Sequence, residues 1–160
     1  MFDRASVEYE LGSAEELRVE RLLQERGWYV VRAYDYTGQA AQEKAPRMFG
    51  PDGQTLILPD LDVSQGGTRR WVEIKAKASA SFTRMTQQWE HGIPLRHYQS
   101  YLSVQEESGT SVWLFVCEQD SQDVLIQKLD DLPVRVYAGD KMSYGGMAFF
   151  PCDSFMRFSP

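Results

Sequence analysis

Two apolar stretches of strand length, 56–63 (LILPDLDV) and 70–77 (RWVEIKAK), lie either side of an adjacent glycine pair, Gly66-Gly67. Glycines tolerate the positive φ of a tight two-residue turn, so the pattern predicts an antiparallel hairpin. With Gly66 and Gly67 as the turn, Gln65 opposes Thr68 and Ser64 opposes Arg69. Continuing back, Asp62 opposes Trp71 and Asp60 opposes Glu73. Strand side chains alternate between faces, so Asp60, Asp62, Glu73 and Lys75 all project from one side of the sheet.

Directly opposed carboxylates destabilise a sheet. Flanked by Leu56, Ile57, Leu58, Val72 and Ile74, they need a compensating cation if buried and ionised. Oxygen donors without histidine or cysteine suit a hard divalent ion, Mg²⁺ or Mn²⁺. Lys75 adds a positive charge on the same face. A metal to polarise a phosphate and acidify a water, with a lysine near the attacking oxygen, is the equipment of phosphodiester hydrolysis. The triplet Glu-x-Lys alone is common by chance, and its plain reading is a salt-bridged surface strand. The apolar surroundings, the matching Pro59-Asp60 and the glycine turn raise it above that. Asp62 would replace Asp60 if the hairpin carried a bulge.

The rest of the chain surrounds this hairpin with further α/β elements. Ser13 and Glu16 have capping-box spacing ahead of Leu17, Val19, Leu22 and Leu23, and Gly27 stops that helix. A strand is expected over 28–34 and a long loop over 37–54, a length common in functional loops. Phe82, Met85 and Trp89 suggest partial helix within 78–92. Pro94 sits where a first-turn proline would, and His97, Tyr98, Tyr101, Leu102 and Gln105 keep helical spacing up to Gly109. Strands follow at 111–117 and 124–129, with short strands or an extension over 130–160. The order α-β-β-β-α-β-β predicts one α/β domain over 1–160, its core about 12–129, with a mixed β-sheet flanked by helices. A chain of 160 residues can bury about two-thirds of its unfolded surface, enough for one core.

No apolar run reaches the roughly 20 residues of a membrane-spanning helix, and the amino terminus has no signal-like apolar region, so a cytoplasmic setting is expected. Cys117 and Cys152 form no CxxC pair, and His91 and His97 belong to no HExxH motif. A zinc site on familiar spacings is therefore not expected. No P-loop, GxGxxG or GxSxG motif supports a nucleotide cofactor or a serine nucleophile. The formal net charge of −6 counts against nucleic-acid binding. The charge is uneven, however: acids crowd the first twenty residues, while Arg69, Arg70, Lys75, Lys77, Arg84 and Arg96 cluster over 68–97 against Glu73 and Glu90 alone.

Pro59-Asp60 followed by Glu73-Ile74-Lys75 resembles the signature of the PD-(D/E)XK nuclease superfamily, the restriction-endonuclease-like fold. The stretch from Gly12 to Glu16 with Leu22, Leu23, Gly27 and Arg32 further resembles the opening of archaeal-type Holliday-junction resolvases. The resemblance runs from about Gly12 to Cys117. It implies an Mg²⁺- or Mn²⁺-dependent deoxyribonuclease, an endonuclease acting on DNA, with branched DNA as the first substrate to test and a homodimer as the working unit. Carried over residue by residue, Asp60, Glu73 and the Ile74 carbonyl would hold metal and Lys75 would orient or activate the water. A helix glutamate would complete the site: Glu16 matches, Glu20 one turn on competes, and a capping role for Glu16 competes with both. Arg69, Arg70, Lys77, Arg84, Gln99 and His97 are candidate substrate contacts. A non-catalytic nucleic-acid- or protein-binding module on the same fold is the alternative.

Overall fold

The computed structural model describes residues 4–33, 46–138 and 145–159. Helix α1, Arg4–Glu25, is followed by β1 (Tyr29–Arg32), β2 (Arg47–Phe49), β3 (Thr55–Ile57), β4 (Leu61–Gln65), β5 (Thr68–Lys77), β6 (Ser81–Thr83) and β7 (Gln88–Pro94). Helix α2 (Leu95–Ser108) leads into β8 (Val112–Glu118), β9 (Val124–Lys128), β10 (Arg135–Tyr137), β11 (Met147–Pro151) and β12 (Met156–Phe158). The central sheet has the order β1-β4-β5-β8-β9-β12 and a second sheet the order β10-β11-β7-β6. Among the described residues, only β5 and β8 run parallel within the central sheet, as expected where a long crossover containing α2 separates them. None of the described helices is long and apolar enough to cross a membrane.

The hairpin register is the expected one. Gln65 pairs with Thr68, Asp62 with Trp71 and Leu61 with Val72, around Gly66 and Gly67 at φ of 55° and 82°. The stretch 56–63 is not one strand, however. β3 pairs with β2 in a separate ribbon, and the chain breaks at Pro59, which has no N–H to continue a ladder.

Two further expectations are corrected. Helix α1 runs through Ser13, so no capping box forms there and Glu16 lies inside the helix. Gly27 does end it, at φ 84°, with the Gly27 N–H bonding to Gln24 and the Trp28 N–H to Leu23. Nor is 78–92 helical: β6 and β7 form a hairpin. The apolar spacing has another cause, since Phe82 and Trp89 pair across the two strands with their rings 5.5 Å apart. Of the loop expected over 37–54, residues 37–45 lie outside the described part; the remainder holds β2 and a 3-10 turn at Pro51–Gly53.

The central sheet is covered on both faces. Val19 and Leu23 of α1 pack on Leu61, Val63, Val72, Ile74, Phe115 and Cys117. On the other face Tyr101 and Val104 of α2 meet Trp71, Leu114, Val116 and, from the second sheet, Ile93 and Phe150. Strand β8 is therefore apolar from Val112 to Cys117, as strands buried on both faces are.

Candidate metal centre

Strand β5 lies in the middle of the central sheet and carries Glu73 and Lys75. Period-two alternation turns both away from α1, onto the side of Trp71. Asp60 arrives from the neighbouring strand, one residue beyond the last ladder pair, Leu61 with Val72. Because Pro59 ends the pairing, Asp60 bends out of the ladder. Its Oδ2 accepts the Ile74 N–H at 2.8 Å, while its backbone carbonyl accepts from Ala33 at 2.9 Å. The hairpin register thus brings Asp60 to the Glu73 level, with the carboxylate anchored to the backbone between Glu73 and Lys75.

Glu73 is 1% exposed and Asp60 7%. The Glu73 Oε1 is ion-paired with the Lys75 ammonium. The Glu73 Oε2 is buried and has no hydrogen-bond partner among the described residues, an arrangement costly enough to need a reason. Burial pushes the Asp60 carboxyl well above the usual carboxylate range, the Glu73 and Glu16 charges push it further, and Lys75 and the Ile74 N–H oppose them. Burial alone would lower the Lys75 ammonium, but Glu73, Asp60 and Glu16 outweigh it and hold the pKa above its ordinary value. Two buried carboxylates therefore share one ammonium in a low-dielectric pocket where the Glu16 charge is also felt, an imbalance a divalent cation would relieve. The donors are oxygens, as Mg²⁺ and Mn²⁺ prefer.

Glu16 and Glu20 take different positions. Glu16 is half-buried on α1, and its charge is felt at both Asp60 and Lys75. Glu20 is held by Arg32 through two hydrogen bonds of 2.5 and 3.1 Å. Asp62 likewise faces outward to a bidentate pair with Arg69, at 2.8 and 2.7 Å.

Helix α2 supplies what else borders the site. The His97 imidazole receives a contact from the Tyr101 hydroxyl at 3.3 Å. Burial lowers its pKa and the nearby Lys75 charge lowers it again, so the ring is neutral beside the carboxylates. Tyr101 was not anticipated as a site residue; its position four after His97 on one helical face was the available signal. Gln99, expected as a substrate contact, is exposed and turned by about 200° around the helix from His97. Arg70, also expected as a substrate contact, lies elsewhere. It occupies the α1 face, its guanidinium 4.8 Å from the Trp28 ring centre and 4.4 Å from that of Trp113. Lys77 shares the Lys75 face, and Arg84 is exposed in the β6–β7 turn.

No protein-family model matches this chain, and no curated protein does. Among solved structures it is similar to Hjc, a Holliday junction resolvase from the archaeal hyperthermophile Archaeoglobus fulgidus. The TM-score is 0.53 at 10% identity, over 85% of this chain and 86% of that one. The chain has the restriction-endonuclease-like fold. A second solved structure, D212, a nuclease from a fusselovirus, aligns over 97% of this chain and 88% of its own at a TM-score of 0.49 and 10% identity. At 10% identity the likeness to Hjc speaks for the fold alone, and the chemistry rests on this chain's own residues.

Proposed function

We propose that this chain is a metal-dependent nuclease that hydrolyses DNA phosphodiester bonds internally. One observation carries the reading: buried Asp60 and Glu73, with Glu16 nearby, outnumber the single Lys75 ammonium, and one Glu73 oxygen has no partner among the described residues. Asp60, Glu73, the Ile74 carbonyl and Glu16 would hold Mg²⁺ or Mn²⁺. Glu20 is committed to Arg32 and is left out of that set. The ion, when bound, polarises a phosphate oxygen and makes a bound water acidic enough to attack near neutral pH.

The chain's own groups do the rest. Because its carboxylate neighbours keep Lys75 protonated, the ammonium acts as a fixed cationic donor. It orients the attacking oxygen and balances charge on the phosphate, and it does not take up the proton itself. The Asp60 carboxylate is locked by the Ile74 N–H, so it needs little reorganisation to bind. Neutral His97 on α2 can donate to a phosphate oxygen. Lys77, Arg84 and Arg96 provide the sequence-independent phosphate contacts that position a duplex, with Arg69 at the rim. Arg70 and Gln99 contribute none. A homodimer would present two such centres to the two strands of a branched substrate, so a four-way junction is the first substrate to try.

A cleavage panel tests this directly: linear duplex, single strand, flap, four-way junction and RNA, each with Mg²⁺ or Mn²⁺. DNA cleavage that disappears in Glu73→Gln and in Lys75→Ala is the expected result. The reading is overturned if no substrate is cut with either metal, or if Lys75→Ala cuts as well as the parent chain.

A further inference from the structure

We infer that His91, Glu118 and Cys152 form a second metal site, for a borderline-soft divalent cation of which zinc is the leading case. One donor atom from each lies within 4.8 Å of the other two, although the three are far apart in sequence. Conventional ligand spacings could not have revealed them, because the topology assembles them. His91 comes from β7, Glu118 from the last position of β8, and Cys152 from the 3-10 turn Cys152–Ser154 that follows β11. Nitrogen, oxygen and sulfur donors in one pocket select zinc over magnesium. This set differs chemically from the oxygen-only donors around Glu73.

The surroundings prepare the ligands. His91 is 3% exposed and Glu118 8%, and the His91 Nε2 lies 2.8 Å from the Glu118 Oε1. The buried ring offers its Nε2 on the same side as Cys152 and Glu118. The second Glu118 oxygen accepts from the Ser121 hydroxyl at 2.9 Å, which leaves Oε1 turned toward His91. Outer hydrogen bonds of this kind fix a ligand's orientation. Arg157, 4.0 Å from that second oxygen, is drawn instead to Asp123 at 2.6 Å.

Two donors about 2 Å from a tetrahedral ion stand roughly 3.3 Å apart. The His91–Glu118 contact therefore has to open by about half an ångström to admit the ion. Binding requires the Cys152 S–H bond to break, with its proton passing to solvent as the sulfur–metal bond forms. Water completes the fourth position. The site ties the end of the central sheet to the second sheet, beside Lys77, which pairs with Glu118 in the β5–β8 ladder.

The purified chain, stripped with a chelator, is titrated with Co²⁺ and separately with Zn²⁺. The expected result is one equivalent giving a thiolate-to-cobalt charge-transfer band, displaced by Zn²⁺, retained in Glu73→Gln and lost in Cys152→Ser. Alkylation of the wild-type chain gives a readout independent of any variant. Zn²⁺ should slow iodoacetamide labelling of Cys152 at least tenfold, scored by peptide mass spectrometry. Absence of the band, its persistence in Cys152→Ser, its loss in Glu73→Gln, or equal labelling with and without Zn²⁺ would each overturn the inference.

Discussion

Asp60→Asn separates the burden of the carboxylate cluster from its use. Asparagine keeps an oxygen to accept the Ile74 N–H that Oδ2 now holds at 2.8 Å, so the bend after Pro59 should survive. What is removed is one of three negative charges around Lys75 in a site where Asp60 is 7% exposed. A buried ion carries a penalty of several kcal/mol, offset in part by attraction to Lys75. A net gain of about 1–2 kcal/mol is expected in the metal-free protein, or roughly 2–8 °C in Tm for a chain of this size.

The direction follows from the raised Asp60 pKa. The folded state holds that proton more tightly than the unfolded state does. The ionised form is therefore penalised by folding, and that penalty fades as pH falls through the raised folded value and is gone below the unfolded value of about 3.9. Saturating Mg²⁺ should reverse the order. At a hundred times Kd, ligand linkage adds about 2.7 kcal/mol, or roughly 5–11 °C, to the parent chain and little to Asp60→Asn. Calorimetry in EDTA and in Mg²⁺, at neutral and acid pH, reads both effects. The reasoning fails if Asp60→Asn is no more stable than the parent in EDTA, or if Mg²⁺ raises both melting points equally.

Glu16→Gln should abolish cleavage and weaken the Mg²⁺-dependent shift, whereas Glu20→Gln should leave both intact and change stability by less than about 1 kcal/mol, as loss of an exposed ion pair does; equal losses of activity in the two would undo the assignment. Arg70→Met should cost about 1–2 kcal/mol by chemical denaturation, through lost stacking on Trp28 and Trp113. Its cleavage rate should stay within twofold of the parent, and a large fall in rate would return Arg70 to the substrate path.

How much of this was legible in the sequence depended on the range of the interactions. The pairing of Asp62 with Trp71 could be read because the Gly66-Gly67 turn sets register locally and alternation carries it along the strand. The break at Pro59 was equally readable from proline's missing N–H, yet the apolar run from Leu56 to Val63 concealed it. Phe82, Met85 and Trp89 misled because spacings of three and four fit a helix and also a pair of residues facing across a hairpin. Ser13 has capping chemistry, but nothing local shows that the helix begins nine residues earlier, at Arg4. The Arg32 pair that sets Glu20 apart from Glu16 forms only once β1 is in place. The His91, Glu118 and Cys152 grouping has no local trace because three separate elements meet there.

The parallel pairing of β5 with β8 has a consequence for folding order. Glu73 lies beside Leu114, and everything between them must be gathered in before that contact forms. Non-local strand pairing of this kind is slow, because the entropy of closing the loop is spent before any contact repays it. The turn at Gly66-Gly67 can close early, but it yields only an open hairpin with its acids in water. Burial of Glu73 waits for β8 and the α2 layer. Partly folded chains therefore expose these carboxylates to solvent, and the proposed metal centre exists only once the core is complete.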